Sequence, residues 1–532
     1  MSPYISSAEA TLSCVSTCRA FSYKCAMHPI FSAFFPSPSM LLRWLVPSLS
    51  LAWLLGCVSA STRHTFASRA VQDSGLTYTK NSGICETTPG VGQISGYINI
   101  ASNASMWFWF FEARNSPNTA PLTLWLNGGP GCTSMSGIFQ ENGPCNVSSD
   151  GRTTTLNPFS WNNLSNMIYI DQPIGAGFST GSGTVNSTAD AAVMMWTAFQ
   201  ILFESPEFSS FQNRDLIFGT ESYGAHFGPT FITYFNAQND LIGNGQLTGQ
   251  KIVFKSLLIN DGKHDPLIQY GSYIPFVANA PGYGPVQNTT IVDAMSASFV
   301  KPDGCQAQLQ ACYAGGSDAE CATADLVCTG DIFNRAVIGH DPDYLLWDSD
   351  APDPFPPAYF EKFLVSPSVA GALGATSTFN SCNADIKKNF GSTGEFGRSA
   401  LAPLAALANA HFPILIWVGD ADIKANWLGV HQSMVSMPWY GNLTLNNTAL
   451  TNWTIDGQVV AQIKTVDSFT FARVFGAGHS LPAFVPSTAL QFFTRVVQNL
   501  GDLPPKHSGS TGVSSPSGLW AVAMLLIWML DR

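Results

Sequence analysis

Three side chains of the types used in nucleophilic acyl chemistry follow three separate apolar runs. The first is Ser222, in Gly219-Thr220-Glu221-Ser222-Tyr223-Gly224, four residues after the run Leu216–Phe218 and just before a predicted helix. A tight strand–turn–helix with small residues on either side can hold a serine Oγ in an exposed, strained elbow. Gly224 fits that requirement, whereas Thr220 is larger than the usual glycine. A plain turn serine is therefore the alternative interpretation of this motif alone.

A nucleophilic serine needs a base and an acid that orients the base. Asp422 lies in Gly419-Asp420-Ala421-Asp422, after the apolar run Ile414–Val418, and His479 lies in Gly476-Ala477-Gly478-His479, after Phe469–Val474. The order Ser, Asp, His is one of the known orders for such a triad. A lone histidine is more often a surface or core residue, but the position and glycine setting of His479 favour a catalytic base.

A glycine-rich turn supplies candidates for stabilising a developing oxyanion. Asn127-Gly128-Gly129-Pro130-Gly131 follows the apolar run Leu122–Leu126. Main-chain N–H groups in such a turn can point at one oxygen atom. The alternative interpretation is a turn without further function.

The segments that carry these residues alternate in a way that predicts a buried sheet. Short unbroken apolar runs separated by helical stretches are typical of a largely parallel sheet with both faces covered. Residues 91–113 read as two antiparallel strands, and residues 262–400, rich in Pro, Gly, Asp and Cys, read as a cap inserted into the sheet domain. The other predicted strands are 122–126, 167–170, 216–218, 255–259, 414–418 and 469–474, and the predicted helices are 187–204, 223–236 and 487–499.

The composition excludes some classes of protein. Of 532 residues only 11% are charged, about half the usual share, and Lys plus Arg (24) is outnumbered by Asp plus Glu (35), for a net charge of −11. The acidic balance and the lack of a basic run argue against a nucleic-acid partner. Aromatic residues at 12% argue against disorder. Together these values indicate a globular protein outside the cytosol.

The N-terminal segment has the anatomy of a secretory signal. Arg43 precedes an apolar run to Leu55, and Val58-Ser59-Ala60 offers small residues for cleavage. Met40 is a natural initiator, so we interpret residues 1–39 as an upstream gene-model extension, residues 40–60 as the signal peptide and residues 61–505 as the mature domain. A buried N-terminal helix is the alternative.

The C-terminal segment resembles a removable anchor signal. Residues 506–518 are a Ser/Gly-rich spacer, and residues 519–532 contain an apolar run of 12 residues, which is too short to span a bilayer. This pattern predicts a GPI lipid anchor, although the trailing Asp531-Arg532 is atypical. A frayed terminus and a short membrane span are the alternatives. The expected location is secreted or at the cell surface.

Glycans and disulfides are consistent with export. Asparagine is followed at the second position by Ser or Thr, without an intervening Pro, at Asn103, Asn146, Asn163, Asn186, Asn288, Asn442, Asn446 and Asn452. Eight cysteines remain beyond residue 60, an even number that indicates disulfides in an exported protein. The gaps of 7, 9 and 7 in the last cluster suit nested pairs, Cys305–Cys328 around Cys312–Cys321. A zinc site is the alternative, without a Cys-x-x-Cys pair to support it.

Five short blocks in order make the chain similar to the serine carboxypeptidases, in particular the secreted fungal ones, over about residues 80–500. The resemblance implies an α/β-hydrolase fold with a helical cap, the triad Ser222, Asp422 and His479, oxyanion donors at the N–H groups of Gly129 and Tyr223, and no metal or cofactor. It also implies the disulfides Cys132–Cys382 and Cys85–Cys145. The blocks are 125–132, 171–179, 220–224, 419–427 and 476–479.

The resemblance further implies a site for the free C-terminal carboxylate of a peptide or protein substrate, built from Trp125, Asn127, Glu141 and Glu221. Two glutamates held close together cannot both ionise cheaply, so at least one pKa should rise. A protonated glutamate can donate a hydrogen bond to the substrate carboxylate, whereas an ionised one repels it. We therefore expect exopeptidase activity favoured at acid pH, through an acyl-enzyme.

Two other functions stay open at this point. An acyltransferase or esterase would use the same triad with another acceptor, and an inactive cell-surface protein would use none of it. Departures from the family pattern include Thr220, where many members have glycine, and Ala425, where many have a free cysteine. The sequence leaves the oligomeric state and the preferred C-terminal residue open.

Overall fold

A mixed β-sheet organises the chain in the computed structural model, which describes residues 62–350 and 355–498. The strands are β1 (Arg63–Ala67), β2 (Gly75–Lys80), β3 (Gln93–Ala101), β4 (Ala104–Phe111), β5 (Leu122–Leu126), β6 (Cys145–Val147), β7 (Thr154–Leu156), β8 (Asn166–Ile170), β9 (Thr180–Gly181), β10 (Leu216–Glu221), β11 (Phe254–Asn260), β12 (Ile414–Gly419), β13 (Thr451–Ile455), β14 (Gln458–Val466) and β15 (Phe469–Val474).

The centre of the sheet is parallel and its flanks are antiparallel. The strand order is β1-β2-β3-β4-β8-β5-β10-β11-β12-β15-β14-β13, with β9 paired to β4 and with β6 and β7 in a separate ribbon. The six strands from β8 to β15 in this order run parallel to one another. This confirms the predicted parallel centre. The carboxyl ends of β5, β10, β11, β12 and β15 therefore meet at one edge of the sheet.

Helices cover both faces of the sheet, as predicted. Between β11 and β12, which are neighbours in the sheet, the chain runs through α3 to α11, and the predicted cap falls in this segment. The helices are α1 (Thr188–Glu204), α2 (Gly224–Gly243), α3 (Pro266–Ala278), α4 (Thr289–Val300), α5 (Cys305–Tyr313), α6 (Asp318–Cys328), α7 (Asn334–Ala336), α8 (Tyr359–Leu364), α9 (Pro367–Leu373), α10 (Ala384–Ser392), α11 (Leu401–Asn409), α12 (Trp427–Ser436), α13 (Asn442–Asn447), α14 (Leu481–Phe484) and α15 (Pro486–Gln498).

Alternation along the buried strands divides the core between the two faces. On β5, Leu124 and Leu126 pack into the cluster that includes α1 and α2, whereas Trp125 between them packs on the other face. There its ring meets Trp161 edge-on at 5.3 Å, and Trp161 stacks on Phe493 of α15 at 4.1 Å. This packing holds the Trp125 indole in place next to the residues that follow β5.

Four disulfides join the eight cysteines beyond residue 60. Two are the nested pairs, which clamp α5 against α6, and they leave no free thiolate in that cluster for zinc. The other two tie segments that are distant in sequence, with separations of 60 and 250 residues. The four pairs are Cys85–Cys145, Cys132–Cys382, Cys305–Cys328 and Cys312–Cys321.

The predicted terminal signals, residues 1–39, 40–60, 506–518 and 519–532, lie outside the described residues. Among residues 62–350 and 355–498, no helix has both the length and the apolar character needed to cross a bilayer. All eight sequon asparagines are described, and none of them is buried. Those fully on the surface are Asn103, Asn146, Asn288, Asn446 and Asn452, whereas Asn163, Asn186 and Asn442 are half-buried.

Candidate active site

Ser222 occupies a strained turn between β10 and α2. Its φ of +59° lies in the left-handed region that side chains other than glycine rarely adopt. Its N–H donates to the carbonyl of Asn260 at 2.9 Å, and its own carbonyl accepts from the N–H of Lys263 at 3.0 Å. These two bonds to the end of β11 hold the turn on both sides, which is how such strain persists in a folded protein. The serine is half-buried, so its side chain is accessible.

Thr220 is accommodated in this turn by the absence of a side chain at Gly224. A Cβ on Gly224 would lie only 1.8 Å from Thr220 Oγ1. That hydroxyl instead donates to the carbonyl of Leu126 at 2.8 Å, which links the elbow to the end of β5. The threonine therefore fits where the sequence motif alone raised doubt.

His479 and Asp422 are in direct contact. His479 Nδ1 lies 2.7 Å from Asp422 Oδ2, and both side chains are buried, with Asp422 inaccessible to solvent. The other carboxylate oxygen of Asp422 accepts the N–H of Ala425 at 3.1 Å. With Nδ1 engaged by the carboxylate, Nε2 is the ring nitrogen available to a serine hydroxyl.

Asn260 joins the serine elbow to the histidine loop. Its carbonyl accepts the Ser222 N–H, while its side-chain Nδ2 donates to the carbonyl of His479 at 3.2 Å and to Glu221 Oε2 at 2.9 Å. Asn260 thus links the Ser222 elbow to the loop of His479, whose ring contacts Asp422, at the carboxyl edge of the sheet. Reasoning from the sequence missed Asn260, although its place as the last residue of β11, beside the end of β10, was a usable signal.

The glycine-rich turn after β5 lies directly against the elbow. A Cβ on Gly128 would come within 2.6 Å of the Tyr223 nitrogen and 3.0 Å of Ser222 Cβ. Only glycine permits this approach, so the turn and the elbow form one surface. Within residues 62–350 and 355–498, no protein acceptor takes a hydrogen bond from the N–H of Gly129 or Tyr223. Both donors are therefore available to an oxygen on the substrate.

Four side chains next to the elbow form one hydrogen-bonded chain. The Trp125 indole donates to Asn127 Oδ1 at 2.8 Å. The Asn127 amide nitrogen donates to Glu141 Oε1 at 2.8 Å and to Glu221 Oε1 at 3.3 Å. Because both carboxyl groups accept from the same Asn127 nitrogen, they lie side by side. The backbone of Gly137 packs so closely that a Cβ there would lie 2.4 Å from the Trp125 indole nitrogen.

The two glutamates cannot both be charged in this environment. Burial raises the pKa of Glu141. Burial also raises the pKa of Glu221 well above its usual range, and the negative charge of Glu141 raises it further. Because two adjacent buried charges are costly, one member of the pair keeps a proton. The pair is therefore a buried acid that can donate a hydrogen bond.

The loops that carry Asp422 and His479 are fixed by groups that the sequence analysis did not single out. The carbonyl of Asp343 accepts the His479 N–H at 2.8 Å, and its carboxylate pairs with the Lys424 ammonium. Burial alone would raise the pKa of Asp343, but the Lys424 charge holds it below its usual range. One short stretch of the inserted helical segment thus contacts both loops.

A second ion pair, between Asp420 and Arg473, also holds the loops of Asp422 and His479 in place. Asp420 accepts from Arg473 at 3.0 Å, from the Gly476 N–H at 2.8 Å and from the Tyr283 hydroxyl at 2.6 Å. The Arg473 guanidinium also lies over the Trp427 ring at 4.3 Å. Both charged groups are largely buried, so the pair is specific rather than a solvated surface contact.

Comparison with known proteins places the chain among the serine carboxypeptidases. The model of the serine carboxypeptidase family matches residues 84–499. The chain is 43% identical over 424 residues to carboxypeptidase S1 of Penicillium janthinellum, covering 79% of this chain and 98% of the relative. It is 32% identical over 502 residues to carboxypeptidase S1 homolog A of Arthroderma otae, covering 80% and 76% of the two chains.

The fold also resembles a solved structure. A prohormone-processing carboxypeptidase from Saccharomyces cerevisiae superposes with a TM-score of 0.66 at 21% identity, over 82% of this chain and 95% of the other. At that identity the likeness concerns the fold alone.

Proposed function

The chain belongs to the serine carboxypeptidase family, and from this premise we propose that Ser222, Asp422 and His479 release single residues from peptide C-termini through an acyl-enzyme. One observation carries the proposal: the buried His479–Asp422 pair, 2.7 Å apart, meets the strained Ser222 elbow through Asn260. No metal or cofactor takes part in the proposed reaction.

In the first half of the reaction His479 acts as the base. It takes the Ser222 proton as Oγ attacks the scissile carbonyl, and the bond formed is an ester between Ser222 and the shortened peptide. His479 then gives that proton to the departing amino group. In the second half, water repeats the sequence and regenerates the free serine. Asp422 keeps Nδ1 protonated and offsets the positive charge of the imidazolium throughout.

The N–H groups of Gly129 and Tyr223 stabilise the oxyanion that forms during both halves. Two features support this role: the close approach of Gly128 to the elbow, and the lack of a protein acceptor for either donor among the described residues. Removing one such donor from an enzyme typically costs about 10²- to 10³-fold in rate.

Trp125, Asn127, Glu141 and Glu221 bind the free carboxylate of the substrate. The raised pKa of Glu221 supports this proposal, because a protonated carboxyl can donate a hydrogen bond to a carboxylate. As the pH rises and the pair ionises, the same site repels the substrate. We therefore propose an acid pH optimum that comes from substrate binding.

The decisive experiment compares an N-blocked dipeptide at about pH 4–5 with its C-terminally amidated form. Cleavage of the free acid alone supports the proposal, and Ser222→Ala should abolish it. Equal cleavage of both would support the esterase or endopeptidase alternative, and transfer of the acyl group to an added alcohol or amine in preference to water would support an acyltransferase. No cleavage of either peptide would support the inactive surface protein.

We also propose that the protein is exported, N-glycosylated and held at the cell surface by a lipid anchor. The accessible placement of all eight sequon asparagines supports glycosylation. A mass decrease after endoglycosidase treatment tests it. Release from cells by a phosphatidylinositol-specific phospholipase tests the anchor, and retention after that treatment would contradict it.

A further inference from the structure

The side chain of Tyr223, whose N–H is a proposed oxyanion donor, is fixed inside the fold. The residue is buried, and its ring stacks on the ring of His226 with the centroids 4.5 Å apart. Three phenylalanine rings meet the Tyr223 ring edge-on, namely Phe227 of α2, Phe390 of α10 and Phe396, at centroid distances of 5.1, 5.9 and 5.6 Å. The residue after the nucleophile is therefore packed against the helical segment inserted between β11 and β12.

Three donors converge on one carboxylate oxygen at the hydroxyl end of this ring. The Tyr223 hydroxyl donates to Glu395 Oε2 at 2.8 Å. The same oxygen accepts from the Thr188 hydroxyl at 2.6 Å and from the Thr188 N–H at 3.1 Å. Hydrogen bonds to a carboxylate are stronger than those between neutral groups. Since Thr188 is the first residue of α1, Glu395 ties Tyr223 to the start of a helix that covers the sheet.

The turn that carries Glu395 packs directly on α6. Gly394 has a φ of +74°, and a Cβ there would lie 2.5 Å from the Cβ of Cys321. On the other side of Glu395, a Cβ on Gly397 would lie 2.4 Å from the Cys321 carbonyl oxygen. Only glycine permits both approaches. Because a disulfide joins Cys321 to Cys312, the Glu395 carboxylate is presented from a cross-linked support.

We propose that Glu395 is a positioning residue for the reaction: it fixes the Tyr223 side chain and thereby aims the Tyr223 N–H at the oxyanion. This inference rests on the proposed function. A donor stabilises the developing charge most when it is already aimed at the place where that charge forms. The peptide that carries this N–H follows Ser222, whose φ of +59° is strained, and such a conformation persists only where the surrounding contacts hold it.

A ligand that reports on the oxyanion donors separates this role from a purely structural one. A peptide aldehyde forms a hemiacetal in which the Ser222 Oγ bonds to the aldehyde carbon, and the former carbonyl oxygen then lies where the oxyanion would form. The corresponding peptide alcohol has the same side chains but cannot form this bond. Loss of aldehyde affinity without loss of alcohol affinity therefore indicates a misdirected donor.

Three substitutions test the contact, and a fourth is the matched control. Tyr223→Phe removes the hydroxyl but keeps the ring and the N–H. Glu395→Ala removes the acceptor, whereas Glu395→Gln keeps an acceptor oxygen. Tyr78→Phe also removes a tyrosine hydroxyl that donates to a glutamate, Glu207, at 2.9 Å. Tyr78 lies on β2, which β3, β4, β8 and β5 separate from β10 in the sheet.

The expected result is a loss in kcat rather than in KM. Glu395→Ala and Tyr223→Phe should each lower kcat for the N-blocked dipeptide about tenfold and leave KM within about twofold. Affinity for the aldehyde should fall by the same factor as kcat, with affinity for the alcohol unchanged. Glu395→Gln should keep kcat within about threefold of the wild type, and Tyr78→Phe should change none of these values.

Several results would overturn the inference without touching the triad. One is an unchanged kcat in Tyr223→Phe, which decides the matter even if Glu395→Ala does not fold. Others are equal losses of aldehyde and alcohol affinity, a Glu395→Gln variant as slow as Glu395→Ala, and a Tyr78→Phe variant as slow as Tyr223→Phe. A wild-type protein that cleaves no peptide would instead refute the proposed function itself.

Discussion

Glu221→Gln is the substitution that most directly tests the acid site. Glu221 Oε2 accepts from Asn260 at 2.9 Å, Oε1 accepts from Asn127 at 3.3 Å, and the carboxyl lies beside that of Glu141. A glutamine can keep its oxygen toward Asn260 and turn its amide N–H groups toward Glu141 and the substrate. It then loses only the longer bond from Asn127.

The expected change in kcat/KM follows from these contacts. Loss of one such hydrogen bond costs about 1 kcal/mol, which is about fivefold in kcat/KM at acid pH. In the wild type, substrate binding weakens up to about tenfold for each pH unit above the ionisation of Glu221. The amide cannot ionise and does not suffer this loss. About two pH units above that ionisation, the variant should therefore exceed the wild type roughly twentyfold.

The assay is KM for an N-blocked dipeptide, measured from pH 4 to pH 8. Glu361→Gln, at an exposed acid on α8, removes the same formal charge and serves as the matched control. Fluorophosphonate modification of Ser222 in the same samples separates substrate binding from the base. Parallel KM profiles for Glu221→Gln and the wild type would refute the shared-proton account.

Gly128→Ala should reduce activity at least a hundredfold in the peptide assay, because its Cβ would lie 2.6 Å from the Tyr223 nitrogen. Gly371→Ala, with open space around it, should leave turnover unchanged in the same assay. Asp420→Asn leaves the buried Arg473 cation without its anion. It should lower the free energy of unfolding by about 3 kcal/mol in urea titrations and reduce kcat more than it changes KM. Asp171 directly follows β8 and is inaccessible to solvent, and this burial raises its pKa to about 7. Because that pKa is higher in the folded than in the unfolded chain, the contribution of Asp171 to the free energy of unfolding is fully present below pH 4. This contribution, up to roughly 4 kcal/mol, is lost as the pH rises through about 7. Urea midpoints should therefore fall over this range, and less steeply in Asp171→Asn; a flat wild-type profile would contradict this reasoning.

Much of the fold could be predicted because the central strands are buried on both faces. Runs such as Leu122–Leu126 and Phe469–Val474 are mostly apolar, and the observed strands have these same bounds. The outermost strands, β1, β2, β13 and β14, were missed for the opposite reason. β14 begins with two exposed residues, is mostly half-buried beyond them and contains lysine and glutamine, so its pattern resembles that of a surface loop.

The residues of the candidate site also differ in whether the sequence alone reveals them. Residues in glycine-rich motifs at strand ends, such as Ser222 and His479, could be located from the sequence. Asp343 could not, because its importance comes from a contact with His479, about 140 positions away in the chain, which only tertiary structure specifies. The family resemblance pointed to Glu141 and Glu221, but the proton between them depends on burial.

The contact between the inserted segment and the histidine loop bears on protein engineering. The stretch around Asp343 belongs to the region that differs most from a plain sheet domain, yet its carbonyl holds the His479 N–H and its carboxylate meets Lys424. A chimera that grafts this region from a relative to alter selectivity would also replace a support of the catalytic base. Turnover should then change with selectivity unless residues 341–347 are retained from this chain.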